Sequence, residues 1–486
     1  MRLSRLVVPL LLLVALPPAS SAEHGVGRRP ELVRITSTPV LWPAYSPSVR
    51  DYVVRCGTDT TVRFTTWAAA GTSAVIGGLP GRTRAVRLTP GRAVTIAGRG
   101  RTGETDYHVR CLPSDFPPWN ATGTGSKGTW YVLTPSLSLG AVRSHYIAIF
   151  DNHGVPVWWY RTRRVPFDAK ILPGPTIAFA SYPASSPEYQ VRRLDGSFVR
   201  TIVSPDGRID DHELQLRANG DYVYLVYQPK RHVDLTGVGG PADATVLEAE
   251  IEEIAPSGKL VWSWSTDGHV EIEESSRWYG TILGTPVVIP GVDGAPEMSY
   301  DFFHANAVSV SRTVVYLSLR QTDAIYAIDR ATGDILWKLG GTKTPQSLTV
   351  VGDPDGQVPL GGQHDVRLLP DGTISVFDDD TFLNRPPRVI RYRIDPVART
   401  ATLVQEISDP TVTSSVCCGS ARLLADGDWL VSWGGDSVVA EYTPDGVPRF
   451  RLALGDGLFS YRAAPVSARR LGVDELRAGM DAMTSG

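Results

Sequence analysis

The sequence predicts an all-β protein, a six-bladed β-propeller preceded by a small β-sandwich. Three observations carry the prediction. The 486 residues include 47 Gly and 37 Pro, and long helical periodicities are scarce, so many short strands joined by turns are expected. The first third of the chain holds short runs alternating apolar and polar. Beyond residue 120 a turn with an acidic or prolyl entry, followed by an apolar or tryptophan strand, recurs six times. With 42% hydrophobic and 20% charged residues the chain is too apolar to be disordered. A formal net charge of −3, with Lys and Arg spread along the chain, leaves no basic field for nucleic acid.

Residues 1–22, "MRLSRLVVPLLLLVALPPASSA", combine Arg2 and Arg5 with an apolar run over residues 6–16 and small residues ending at Ala22. That is the pattern of a secretory signal peptide, and its apolar run is too short to span a bilayer. The mature chain is expected to begin near Glu23 and to be secreted or periplasmic, with no membrane anchor. Residues 31–113 contain "TVRFTTWAAA", "TRAVRL", "RAVTIAGRG" and "YHVRC", separated by turns, which reads as an antiparallel sandwich. Its opening "AYSPSVRDYVV" and closing "GETDYHV" resemble cadherin-like modules. The strand patterns "DYVVRC" and "DYHVRC" end in Cys56 and Cys111, which are expected to pair as a disulfide in an oxidising compartment. Residues 114–128 read as a linker.

Residues 129–465 hold the six hairpins, which begin near residues 150, 194, 254, 328, 394 and 442. Their uneven spacing fits blades with loops of differing length and disfavours a parallel β-helix, whose repeats are shorter and more even. Trp158, Trp159, Trp262, Trp264 and Trp337 lie on hairpin strands and are expected to fill spaces between blades. Cys417 and Cys418 are adjacent, and either a strained vicinal disulfide or a pair of buried thiols is compatible with the sequence. Residues 466–486 carry Leu471, Leu476 and Met480 at helical spacing, so the tail should be a helix.

The innermost strands align on their turns without gaps. "FDAKILPGPTI" from Phe167, "HELQLRANGDYV" from His212, "HANAVSVSRTVV" from His304, "HDVRLLPDGTI" from His364 and "GSARLLADGDWL" from Gly419 superimpose, and three of the five begin with histidine in a chain holding only nine. Equivalent ends of innermost strands meet around the axis of a propeller, so His212, His304 and His364 are expected to face one another at one mouth. Three imidazoles packed together without use would cost desolvation and repulsion, which points to a site. The remaining histidines, His24, His108, His145, His153, His232 and His269, read as local structural residues. Arg320, in "YLSLRQTDAIYAID", sits in a run otherwise fit for burial, and its planar fork suits a tetrahedral oxyanion; a salt bridge to Asp323 is the plainer reading. Residues 378–380 in "FDDDT" read as a solvated turn in preference to a calcium site. Trp278 and Tyr279 fall in the longest insertion between blades, placed to cover the mouth.

The motifs "DDHELQLRANGD", "FHANAV" with the later "LSLRQTDAIYAID", and "HDVRLLPDGTISVFDD" resemble those of the aryl-sulfate sulfotransferase family, exported bacterial propeller enzymes independent of the nucleotide sulfate donor. The resemblance covers about residues 120 to 465. It implies transfer of a sulfuryl group from a small aryl sulfate donor to a phenolic acceptor through a sulfated histidine. His364 would be the nucleophile, His212, His304 and Arg320 would bind the sulfuryl oxygens, and Asn306 would lie near the donor. No metal or organic cofactor is needed, since a neutral imidazole is a competent nucleophile. Two other readings stand beside this one. Three histidines on a channel suit a metal-dependent hydrolase, and a secreted propeller with an adhesion-like sandwich suits a non-catalytic glycan- or protein-binding role.

Overall fold

Alternation is clearest in the N-terminal strand Thr60–Ala68. The computed structural model describes residues 31–483 apart from residues 139, 141–143, 183–187, 206–207, 293 and 456, so the expected signal segment and His24 lie outside the described residues. In Thr60–Ala68, Val62, Phe64 and Thr66 are buried while Arg63 and Trp67 are exposed, the period-two pattern of a strand with one face on a core. Leu32–Thr38, Thr60–Ala68 and Thr83–Leu88 form one sheet, and Asp51–Cys56, Gly103–Pro113, Ala93–Gly100, Ser73–Ile76 and Leu79–Pro80 form the other. Asp51–Cys56 and Gly103–Pro113 run parallel. The Cys56–Cys111 disulfide joins these two strands across 5.6 Å between Cα atoms.

Six sheets follow, each built on four antiparallel strands, and three of them carry one or two further strands at the outer edge. Their innermost strands are Val165–Leu172, Ile209–Leu216, Ala305–Val310, His364–Leu368, Ser420–Leu423 and Ala463–Ser467. Each neighbours the next in a closed cycle, and Ala463–Ser467 returns to the side of Val165–Leu172, so the sheets are the blades of a six-bladed propeller. The blade that closes the ring takes Ala463–Ser467 from the C-terminal end and Thr129–Leu133, His145–Phe150 and Pro156–Thr162 from the N-terminal side. Joining the two ends of the chain in one sheet removes free edges from the ring.

Two boundaries differ from the sequence reading. Part of the expected linker is a strand, Trp119–Gly123, which pairs antiparallel with Pro448–Leu454 at the outer edge of its blade. Trp119 drives this, because its indole packs against Phe116 and Phe150 and donates to the Gly154 carbonyl at 2.9 Å. The propeller also runs to Ser467, two residues past 465, because the closing strand does. A C-terminal helix, Val473–Ala482, buries Leu476 and Met480 and reaches the sandwich through Arg477–Asp51 and Asp481–Arg110 ion pairs, each 2.7 Å. Trp158, Trp159, Trp264 and Trp337 are buried in the blade cores; Trp262 is partly buried and packs against them.

Candidate active site

The bulged starts of the inner strands build the mouth. The ladder pairing shifts near the start of four inner strands, between Phe167 and Lys170, Ile209 and Leu214, Ala305 and Ala307, and His364 and Arg367. Bulges re-aim side chains, and Asp168, His304 and Asp365 hold the positive φ values that accompany them here. The layer at the mouth is Phe167, His212, His304, His364, Gly419 and Tyr461, one residue per blade. Tyr461, the sixth member, lacked any turn motif to align it. Its ring lies 4.9 Å from Phe167, its hydroxyl donates to the His212 carbonyl at 3.1 Å, and its own carbonyl accepts from the Gly419 N–H at 2.9 Å.

The next layer inward explains the electrostatics. Asp168, Glu213, Asp365 and Arg462 follow Phe167, His212, His364 and Tyr461 directly in the chain, and all four are buried. Arg462 pairs with Asp168 and Glu213 at 3.0 Å each, Arg422 with Asp365 at 2.7 Å, and Lys170 with Asp168 at 2.6 Å. Arg367 joins Glu213 to Asp365. Four cations therefore meet three carboxylates below the histidines, and the surplus positive charge bears on the imidazoles above.

Each histidine has its Nδ1 on an aspartate, yet the three differ in charge. His364 is 1% exposed. Its Nδ1 faces Asp379 Oδ2 at 2.6 Å and the Gly362 carbonyl at 3.0 Å, while Nε2 accepts the Cys418 backbone N–H at 3.2 Å. A carbonyl at Nδ1 and a donor at Nε2 both require the proton on Nδ1, leaving Nε2 unprotonated, its lone pair held by the single Cys418 hydrogen bond. Burial, reinforced by Arg320, His212, His304 and Arg462, holds the His364 pKa well below its usual 6.5, so the ring is neutral. Burial also pushes the Asp379 carboxyl well up, so that it can take the Nδ1 proton if the ring becomes more acidic. His212 is the opposite case. Burial opposes its charge, but Asp210, 2.8 Å from Nδ1, and Asp211 outweigh that and hold its pKa up to about 9. His304 pairs with Asp301 at 2.6 Å, but burial, with His212 and Arg320, lowers its pKa. His212 and His304 meet edge to face, ring centroids 4.8 Å apart, and their side chains, 15% and 24% exposed, form the open side of the site.

Arg320 follows the strand Val314–Leu319 and its backbone N–H donates to the His304 carbonyl at 3.0 Å. The guanidinium lies 4.4 Å above the Trp278 ring and donates from Nη2 to the Val416 carbonyl at 2.9 Å, while its buried Nε–H has no partner. Asp323 is engaged elsewhere, by Arg277 and by Trp278 Nε1, so no Arg320–Asp323 salt bridge forms. Trp278 acts from below, as a buried platform for two guanidiniums. Asn306 is 0% exposed and does not face the open side; its amide donates to the Gln363 carbonyl at 2.8 Å. Gln363 in turn donates to Ser318, Leu319 and Ala324, so it locks the start of the His364 strand to the segment bearing Arg320. Asn306 thus bears on the start of the His364 strand through its amide, while its Oδ1 is buried without a hydrogen-bond partner.

Residues 378–380 are buried, contrary to the solvated turn expected of them. Asp379 serves His364, Asp380 pairs with Arg385 at 2.6 Å, and Asp378 accepts the Gly361 N–H at 2.8 Å. Cys417 and Cys418 are free thiols with sulfurs 2.8 Å apart. Among the described residues the ligand atoms that gather within 4.8 Å are those of Asp210, Asp211 and His212, and of Asp426, Asp428 and Glu441; the three imidazoles do not form such a group.

Fold and site together define a propeller with three histidines and an arginine gathered at one mouth of its axis. The chain belongs to the arylsulfotransferase (ASST) family, whose model matches residues 189–455 and spans all four of His212, His304, Arg320 and His364. Among solved structures it is similar to a protein of unknown function from Bacteroides caccae, at 12% identity over 70% of this chain and 99% of that one, with a TM-score of 0.40. It is also similar to a catalytically inactive virginiamycin B lyase from Staphylococcus aureus, at 11% identity over 71% of this chain and 89% of that one, with a TM-score of 0.33. No curated protein matches it.

Proposed function

We propose that the protein moves a sulfuryl group from an aryl sulfate to a phenol in two displacements through His364. The observation that carries the reading is a neutral imidazole with an unprotonated Nε2, in the field of a guanidinium whose buried Nε–H lacks a partner. A buried unpaired donor on a cation is costly, and an anionic oxygen is the partner it fits.

In the first displacement Nε2 attacks sulfur, the bond from sulfur to the aryl oxygen breaks, and its electron pair leaves on the phenolate. His212, protonated up to about pH 9, gives the phenolate its proton. Sulfation makes the ring more acidic, and Asp379 takes up the charge through Nδ1. In the second displacement the acceptor oxygen attacks sulfur, the S–N bond returns its pair to Nε2, and His212 recovers a proton from the incoming phenol. A pKa near 9 is well matched to phenols, whose own values lie near 10. Arg320 and the His212 imidazolium stabilise the sulfuryl oxygens. His304, neutral with its Nδ1 on Asp301, keeps His212 oriented edge to face. Phe167, beside both His212 and Tyr461, offers a flat apolar surface for the aryl ring. Export by residues 1–22 would place the enzyme away from nucleotide sulfate donors, in keeping with an aryl sulfate as donor.

Incubation with a chromogenic aryl sulfate, with and without phenol, tests this. Release of colour is expected to require the acceptor, and His364→Ala should lose at least about a thousandfold in kcat/KM, as removal of a covalent nucleophile does. Colour that ignores the acceptor would make the protein a sulfatase, and full activity in His364→Ala would remove the nucleophile from its role.

A further inference from the structure

Cys417 and Cys418 take no part in sulfuryl transfer as derived above, yet the peptide between them touches its nucleophile. The Cys418 N–H is the group that caps His364 Nε2, at 3.2 Å. That N–H belongs to the peptide linking the two cysteines, and Cys418 holds the left-handed backbone conformation, φ +73°. The sulfurs are 2.8 Å apart, less than about 1 Å beyond the roughly 2.05 Å of a disulfide. Cys417 is partly exposed, so a reagent can reach it, while Cys418 is buried behind it.

We propose that Cys417 and Cys418 are a redox modification site, closing reversibly into a vicinal disulfide that uncaps His364. This rests on the reading of His364 as the sulfuryl carrier. The peptide between the two residues is part of the ring that the bond closes, so closure turns it and takes its N–H off Nε2. The dithiol form is the capped form, and the disulfide form presents the bare lone pair. The oxidant is a small-molecule disulfide. The Cys417 thiolate attacks one of its sulfurs and expels a thiolate, then Cys418 attacks the mixed disulfide, giving up its proton and expelling the second. Two electrons pass from the cysteine pair to the reagent. The hydrogen bond from Cys418, together with Arg320 and His212, makes Cys417 the more acidic thiol and so the attacking one. Adjacent Cα atoms lie about 3.8 Å apart, closer than the roughly 4.4 Å minimum of ordinary disulfides, so the bond is strained and readily reduced. Cys56–Cys111, at 5.6 Å, is not so constrained.

The test equilibrates the whole protein in oxidised or reduced glutathione, alkylates free thiols, and weighs the peptides. The peptide holding Cys417 and Cys418 is expected to be unalkylated and lighter by two hydrogens in the oxidised sample, and doubly alkylated in the reduced one. His364 should react with diethyl pyrocarbonate about five- to tenfold faster in the oxidised form, the gain from releasing one hydrogen bond. Thiols that stay alkylatable in oxidised glutathione overturn the proposal, as does His364 labelling that ignores the state of the pair. Cys417→Ser should hold the labelling rate at one value whatever the glutathione state; a rate that still follows glutathione also overturns it. Turnover of aryl sulfate in both states separates the two readings. Labelling that follows redox state without turnover in either would refute sulfuryl transfer while the redox site stands.

Discussion

At the scale of single residues, the site works by giving like side chains unlike charges. His364 is buried and His212 partly buried, each with an aspartate on Nδ1, but His212 has Asp210 and Asp211 against it while His364 faces Arg320, two histidines and Arg462. In the proposed transfer one is the neutral nucleophile and the other the proton carrier, a division of labour set by surroundings alone. The expected consequence is an alkaline limb in the pH dependence of kcat/KM near pH 9, where His212 loses its proton. Stability should follow with the same sign. A folded pKa of about 9 against an unfolded 6.5 gives a contribution that is whole below pH 6.5 and lost as pH rises through 9, on the order of 3 kcal/mol. Thermal unfolding from pH 6 to 10, compared with His212→Gln, reads this directly; a flat difference between the two proteins contradicts it.

At the scale of elements, the start of each inner strand is where sequence and site meet. The histidine column was legible because each member stands eight residues before the matching position of its turn, Gly220, Arg312 and Gly372, and that offset is set by strand length. The carboxylate partners were not legible, because each comes from whatever loop passes within reach of Nδ1. Asp210 precedes its histidine by two residues, Asp301 by three, and Asp379 follows by fifteen. Pairing offered one clue, since His364 stands opposite Phe377 and Asp379 lies two residues beyond it. The glycine in the column also has a reason. Gly419 has φ +91°, and a Cβ there would lie 2.3 Å from the Phe377 ring. Gly419→Ala should cost about 2–4 kcal/mol, from the left-handed backbone and from overpacking. It should also disturb His364 through Phe377, so urea unfolding and kcat are expected to fall together; a stable, fully active variant would show that this contact can relax freely.

At the scale of the whole molecule, the propeller brings to one axis residues that no local pattern joins. Six sheets were legible from the recurring hairpins, but the closing strand Ala463–Ser467 and the edge strand Trp119–Gly123 were not, because both find their partners only when the ends of the chain meet. The axis below the histidines is held by charge. Burial disfavours the Glu213 carboxylate, yet Arg367, Arg462 and Lys170 outweigh it and keep its pKa well below 4.5. Its contribution is thus present above pH 4.5 and lost as pH falls. Glu213→Gln should cost about 3–5 kcal/mol at neutral pH, by leaving buried cations uncompensated, and should flatten the loss of stability on acidification. Equal unfolding midpoints for the two proteins would show the cluster to be dispensable.

The central claim is that His364 Nε2 carries the sulfuryl group between donor and acceptor. Protein exposed to an aryl sulfate without acceptor, then digested and weighed at mildly alkaline pH, is expected to show one added SO₃ on His364, removed by a phenol. Turnover proceeding while His364 stays unmodified, or a sulfated peptide that persists in His364→Ala, would contradict it.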